Sequence, residues 1–361
     1  MSDNKILVIN PGSTSTKIAY FVGDEAGVEE IFNQTIEHNR EELSQFEEIT
    51  DQQDLRLNYI TDFIKDAEVK LSSLSAVVGR GGLLKPITGG TYTVNEKMRR
   101  DLKKGLQGEH ASNLGGLLAH ALAEEAGAEA YIVDPVVVDE MSSIAKISGK
   151  PELQRRSIFH ALNQKAVARK YAEQLDSMYE DITVIVTHLG GGISAGLHHK
   201  GRVIDVNNAL SGEGPFSPNR AGTLPTLDLA MYCYEEDMTE KKIKNQLLKQ
   251  GGVVGYLGTN DMKEVETRAE QGEEKAQLVF DAMAYQVAKE IGSLAPAAPE
   301  EIEGILLTGG IAYSENFVEK VKERVEFIAP VEVFPGEEEM TALAAGANRV
   351  LTGQEQAKTY E

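Results

Sequence analysis

The sequence predicts an α/β protein of two related lobes, and three observations carry that expectation. Short apolar strands alternate with helical segments along the chain. A hairpin layout around residue 10 recurs around residue 188. At 361 residues the chain exceeds what one hydrophobic core usually organises, so two lobes with a ligand cleft between them are expected.

The elements follow in order. Strands are expected at residues 6–9 and 18–22, joined as a β-hairpin by the turn Asn10-Pro11-Gly12-Ser13-Thr14-Ser15-Thr16-Lys17. A second apolar run, 183–187, leads into His188-Leu189-Gly190-Gly191-Gly192, followed by residues 193–199, a Lys200-Gly201 turn and a strand at 202–206. Setting Asn10 against His188, an offset of 178, also aligns Gly12 with Gly190 and Ser13 with Gly191, and a duplicated fold explains this economically. Between the hairpins lie helical patterns at 96–105, 114–125 and 156–175, with strands at 76–78 and 131–133. Helices are expected at 224–234, 240–250, 261–268 and 275–294. A Pro-rich connector at 295–301 precedes a strand at 305–307, which enters Thr308-Gly309-Gly310 and a helix capped by Ser314. A closing helix at 340–351 can return to the first lobe. The expected lobes are therefore 1–155 joined by 340–361, and 156–339.

With 41% hydrophobic and 26% charged residues the composition is that of a folded globular protein. A formal charge of −21 argues against nucleic acid or an anionic membrane as the main partner, so any phosphate site must be locally basic or built from backbone amides. Cys233 is the single cysteine, which excludes an intrachain disulfide and a cysteine-based zinc site. The polar start, running into a short strand, resembles neither a signal peptide nor a membrane span. A cytoplasmic protein is expected.

The turn from Asn10 to Lys17 gathers hydroxyls and backbone amides between two strands, which suits phosphate oxygens but also an ordinary hairpin. Gly190-Gly191-Gly192 permits close approach of main chain to a ligand, or a plain bulge. Gly190, Gly192 and Ala195 match a dinucleotide fingerprint, but that fingerprint must open a helix and here a strand follows. A Walker A ending is missing from both hairpin turns. The two hairpins together with a third turn at Gly309-Gly310 suit a clamp on the phosphates of a nucleotide.

At this point the chain resembles the acetokinase family of acetate and butyrate kinases, within the superfamily of sugar kinases, Hsp70 and actin. The resemblance rests on the Asn10–Lys17 turn, Val78-Gly79-Arg80-Gly81-Gly82, Val133-Asp134-Pro135, Arg155-Arg156-Ser157-Ile158-Phe159-His160, Thr187-His188-Leu189-Gly190-Gly191-Gly192, Pro218-Asn219-Arg220-Ala221-Gly222 and Leu307-Thr308-Gly309-Gly310-Ile311. It implies two duplicated ribonuclease H-like lobes, the actin-like ATPase fold. It implies a kinase that uses ATP/ADP and Mg2+ to phosphorylate a short carboxylic acid, reversibly giving an acyl phosphate, and that assembles as a homo-oligomer.

The resemblance also implies roles for residues. Arg80 and Arg220 flank the transferring phosphoryl group, His160 hydrogen-bonds it, and Asp134 with Glu338 positions magnesium. Asn10, Ser13 and Ser15 bind phosphate or organise the metal site. His188, Gly190, Gly191, Gly192, Gly309, Gly310, Ile311 and Asp261 line the nucleotide pocket. His110 reaches the acyl carbonyl.

Phosphoryl transfer asks for such residue types. Its loose transition state spreads charge over equatorial oxygens, so fixed cations and hydrogen-bond donors carry the catalysis. A carboxylate acceptor is already ionised at pH 7, needs no strong base, and is relieved of repulsion by two arginines. Where acetate kinases carry bulkier residues this chain has Gly81-Gly82-Leu83, and Gly82 is expected to open the acyl pocket. At about 0.8 kcal/mol per buried methylene, a roomier pocket favours four- or five-carbon acids over acetate by roughly one to two orders of magnitude. Gly191, in place of the asparagine usual in acetate kinases, also resembles the butyrate branch. Two other readings stay open: an acetate or propionate kinase of the same family, and a sugar or polyol kinase, which would use an aspartate base. A nucleotide-operated binding protein resembling Hsp70 would need a peptide-binding domain, and none is expected from the residues after the second lobe.

Overall fold

The computed structural model describes residues 3–361. Its strands are β1 (Asn4–Pro11), β2 (Ser15–Asp24), β3 (Gly27–Glu37), β4 (Ala76–Arg80), β5 (Thr91–Thr93), β6 (Glu129–Val133), β7 (Thr183–Leu189), β8 (Ile193–His199), β9 (Arg202–Val206), β10 (Gly304–Gly309), β11 (Val331–Pro335) and β12 (Lys358–Thr359). The chain forms two compact units, one joining Met1–Val138 to Glu338–Glu361 and the other spanning Asp139–Glu337.

The first unit is a seven-stranded mixed sheet in the order β12-β5-β6-β4-β1-β2-β3. Alternate residues of its central strands, Leu7, Ile9, Ile18, Val77 and Ile132, point to one face and are buried there. Against that face pack the helices Gln53–Asp66, Glu96–Lys104 and Asn113–Ala126, through Ile60, Ile64, Met98, Leu102, Leu114, Leu118 and Leu122. The closing helix Glu339–Leu351 buries Met340, Leu343, Ala344 and Ala347 and contacts β1.

The second unit is a five-stranded sheet in the order β11-β10-β7-β8-β9. Every residue of β7 is buried, the pattern of a strand covered on both faces. Ile185 faces the helices Glu274–Leu294 and Glu315–Val325, where Phe280 and Phe317 meet edge to face with centroids 5.4 Å apart. Val184 and Val186 face the helix Ala161–Gln174, through Val167, Ala168 and Tyr171.

The two sheets share a topology. In each, a first strand pairs antiparallel with its successor and parallel with a later strand, so β3-β2-β1-β4-β6 corresponds to β9-β8-β7-β10-β11. β1 ends at Pro11 and β7 at Leu189, the same offset that aligns the two turns. The α/β class and the duplication hold. β3, β5, β11, β12 and the helix Gln53–Asp66 add to the expected elements, and the segment expected to be helical from residue 156 starts its helix only at Ala161. The unit boundary falls at Val138/Asp139 rather than after residue 155. The intervening segment is fastened to the second unit: Ser142 N donates to Ile204 O at 2.9 Å, and Arg155 binds Asp205 at 2.8 Å and Val206 O at 3.0 Å. No helix among the described residues is long and apolar enough to cross a membrane.

Candidate active site

In the first unit, strand register assembles the candidate residues. β1, β4 and β6 run parallel, with Ile9 opposite Gly79 and Arg80 opposite Val133. Asn10, Arg80 and Asp134 therefore share the carboxyl ends of three adjacent strands, where open α/β sheets bind ligands. A pocket of about 460 Å³ lies there, lined by Asn10, Gly12, Ser13, Ser15, Lys17 and Arg80, with Glu109, His110 and Ser112 on a facing loop.

Beneath the Asn10–Lys17 turn lies Arg56, a residue that sequence reasoning missed. Its side chain is fully buried. Nη1 donates to Gly12 O at 2.8 Å and Ser15 O at 3.0 Å, Nη2 to Ser13 O at 3.1 Å, and Nε to Gln52 Oε1 at 3.1 Å. With those carbonyls tied to a guanidinium, an anion in the pocket meets hydroxyl and amide donors rather than carbonyl oxygens. Burial lowers the Arg56 pKa to about 10, which leaves it charged at neutral pH.

The acidic partner of this cluster is Glu339. It forms an ion pair with Arg80 and accepts from Asn10 Nδ2 at 2.9 Å. Glu338, expected to position magnesium, is exposed at the entrance of the same helix. One step along a helix turns a side chain by about 100°, and the acidic run gave no sequence signal to choose between the two. Asp134 is 1% exposed, sits at a positive φ of 37°, and is held by Gly90 N donating to its Oδ1 at 2.7 Å. A buried carboxylate in so constrained a backbone suits a metal-positioning role. Magnesium takes oxygen ligands, keeps several waters, and is usually held by one or two carboxylates with substrate phosphates. Asp134 with a glutamate from 338–339 fits that donor set.

Gly82 does not open the pocket. A Cβ there would lie 2.4 Å from Asn113 Oδ1 and 2.6 Å from Asn113 Cα, so the space beside it is filled by the start of the helix Asn113–Ala126. Asn113 Oδ1 also accepts from Leu83 N at 2.8 Å. The glycine serves close packing that brings this helix up to β4. His110 is exposed and lines the pocket, with Nδ1 accepting from Ser112 N at 3.2 Å.

In the second unit the glycine turns follow the ends of two parallel strands, β7 and β10, with Thr308 opposite His188. A pocket of about 360 Å³ brings together Gly190, Gly191, Asp261, Gly310 and Ile311, with Asn219 and Tyr313. Asn219 Oδ1 is buried there with no hydrogen-bond partner among the described residues. Asp261 is a helix cap, accepting from Lys263 N at 2.9 Å. Gly192 and Gly309 are buried and do not line this pocket. A Cβ at Gly192 would fall 2.0 Å from Arg220 Nη1, so that glycine makes room for the arginine. Arg220 also donates to Ala209 O, and burial lowers its pKa. His160 and His188 stack at 3.8 Å between centroids. His188 is held by Asn163 Oδ1 at 2.8 Å and Glu337 at 3.0 Å.

Two lobes of one repeated α/β topology, each with a pocket and an arginine near its strand ends, give the actin-like ATPase fold. Residues 142–358 match the acetokinase family, and the chain belongs to that family. It is 53% identical over 357 residues to butyrate kinase 2 of Clostridium acetobutylicum and 52% identical to butyrate kinase 1 of the same organism, with 99% of each chain covered. Among solved structures it is similar to acetate kinase of Porphyromonas gingivalis, with a TM-score of 0.77, 19% identity, and 96% of this chain and 100% of that one covered.

Proposed function

We propose that the protein transfers the γ-phosphoryl group of ATP to the carboxylate of butyrate, or of a branched acid of similar length, giving acyl phosphate and ADP reversibly. The observation that carries the reading is the 53% identity, over 99% of both chains, to butyrate kinase 2 of Clostridium acetobutylicum. A carboxylate oxygen forms the new bond to phosphorus while the bond from phosphorus to the β–γ bridging oxygen breaks, and ADP departs with that electron pair.

In this reading Arg80 and Arg220 neutralise the acceptor and the transferring group, and His160 donates a hydrogen bond to it. The Asn10–Lys17 turn, shaped by Arg56, offers donors to phosphate oxygens. The loops at Gly190–Gly192 and Gly309–Ile311, with His188 and Asp261, hold the nucleotide. Asp134 with Glu338 or Glu339 holds Mg2+, which supplies charge neutralisation on the phosphate oxygens. Because the acceptor is already anionic, Asp134 acts electrostatically rather than as a base. His110 takes the acyl carbonyl. The setting is the cytoplasm, and the working form is a homo-oligomer.

The test is magnesium-dependent hydroxamate formation from ATP, hydroxylamine and butyrate, with glucose as the control acceptor. Hydroxamate with butyrate and no ADP release with glucose are expected. ADP release driven by glucose, without hydroxamate, would return the protein to the sugar kinases.

A further inference from the structure

We propose that Gln164 and Ser194 are positioning residues that hold His160 with its hydrogen on Nε2, so that the ring is a neutral donor to the phosphoryl group. The inference deepens the phosphotransferase reading and rests on it for His160's role.

The assignment follows from which atoms can donate. Gln164 Nε2 lies 3.0 Å from the carbonyl oxygen of Ser194, an atom that can only accept, which fixes the amide with its nitrogen toward Ser194. Its Oε1 then faces His198 Nε2 at 3.0 Å and accepts from it. His198, fully buried, therefore keeps its hydrogen on Nε2, and its Nδ1 accepts from Tyr179 OH at 2.8 Å. Burial and the nearby Lys165 and Arg169 hold its pKa well below the usual histidine value, in accord with a neutral ring.

Gln164 Nε2 also reaches Ser194 Oγ at 2.8 Å, and Ser194 Oγ lies 2.8 Å from His160 Nδ1. The hydroxyl accepts from the amide and must place its own hydrogen elsewhere. The other partner of this buried oxygen among the described residues is His160 Nδ1. Nδ1 is thus the acceptor and the ring hydrogen sits on Nε2. The strand is cut to fit this chain of bonds: a Cβ at Gly196 would lie 2.6 Å from Gln164 Oε1. The path from Tyr179 through His198, Gln164 and Ser194 to His160 has one consistent direction of donation.

A long-range 1H–15N correlation spectrum of the histidine-labelled protein tests this directly, with His160 assigned from the signals lost in His160→Gln. The expected result is a bare Nδ1 and a protonated Nε2 on His160. The opposite tautomer overturns the proposal. Ser194→Ala should give a mixture of tautomers and lower kcat about tenfold with KM for ATP unchanged. In a His160→Ala background the same change should have no further effect on kcat, and an equal fall there would show a merely structural role and overturn the proposal. Should Ser194→Ala fail to fold, Gln164→Met serves in both measurements with the same expectations. The spectrum needs no substrate, so a failure of this assignment is distinguishable from a failure of acyl phosphate formation.

Discussion

Replacing Arg56 by methionine perturbs the candidate phosphate turn without replacing a pocket-lining residue. The arginine satisfies the carbonyls of Gly12, Ser13 and Ser15. Ser15 O keeps a second donor, Gly12 N at 2.8 Å, so within the turn itself the substitution strands two carbonyls, those of Gly12 and Ser13. Each stranded acceptor costs about 1–3 kcal/mol, toward the lower end where water enters, which gives roughly 2–4 kcal/mol in all. That free energy corresponds to about 30- to 1,000-fold in the population of the ordered turn. The denaturation midpoint should fall, and KM for ATP or acyl phosphate should rise at least about tenfold. Arg56→Lys should recover only part of this, because a single ammonium lacks the arginine's forked donors. The assay pairs urea denaturation with hydroxamate kinetics. A methionine variant with unchanged midpoint and unchanged KM refutes the reasoning.

Arg80→Ala and Arg220→Ala should each lower kcat by at least about 10²-fold while circular dichroism stays unchanged; rates within a few-fold of the parent would remove those roles. Glu140→Ala should destabilise the second unit by about 3–5 kcal/mol, because it leaves Lys165, 2.9 Å from Glu140 and 2% exposed, as a buried unpaired cation; chemical denaturation reads this. His38 sets an acid limit: burial, then the Arg56 charge, lowers its pKa to about 4 against 6.5. The unfolded chain therefore takes up the proton first as pH falls. Stability should be full above pH 6.5 and drop by up to about 3 kcal/mol toward pH 4, a slope that His38→Gln should flatten in acid denaturation.

What was legible in the sequence is what is local. The hairpins, the glycine turns and their offset are written in consecutive residues, and strand register then carries Asn10, Arg80 and Asp134 to one edge. The helix Gln53–Asp66 left a signal in the spacing of Leu57, Ile60 and Ile64, but nothing in that stretch tells that Arg56 reaches a turn some forty residues earlier. The direction of donation from Gln164 to His160 is likewise a property of contacts. Gly82 misled for the opposite reason. A missing side chain reads as a hole in a sequence, whereas packing filled that space with the backbone of Asn113. That Glu339 rather than Glu338 meets Arg80 is set by where the helix begins, not by composition.

The size of the acyl acceptor offers the most direct measurement: kcat/KM for hydroxamate formation across acetate, propionate, butyrate, isobutyrate, valerate and isovalerate. The expected profile peaks at four to five carbons, roughly 10- to 100-fold above acetate. A profile that peaks at acetate contradicts the assignment of the acceptor, and no acyl phosphate from any short acid contradicts carboxylate phosphorylation itself.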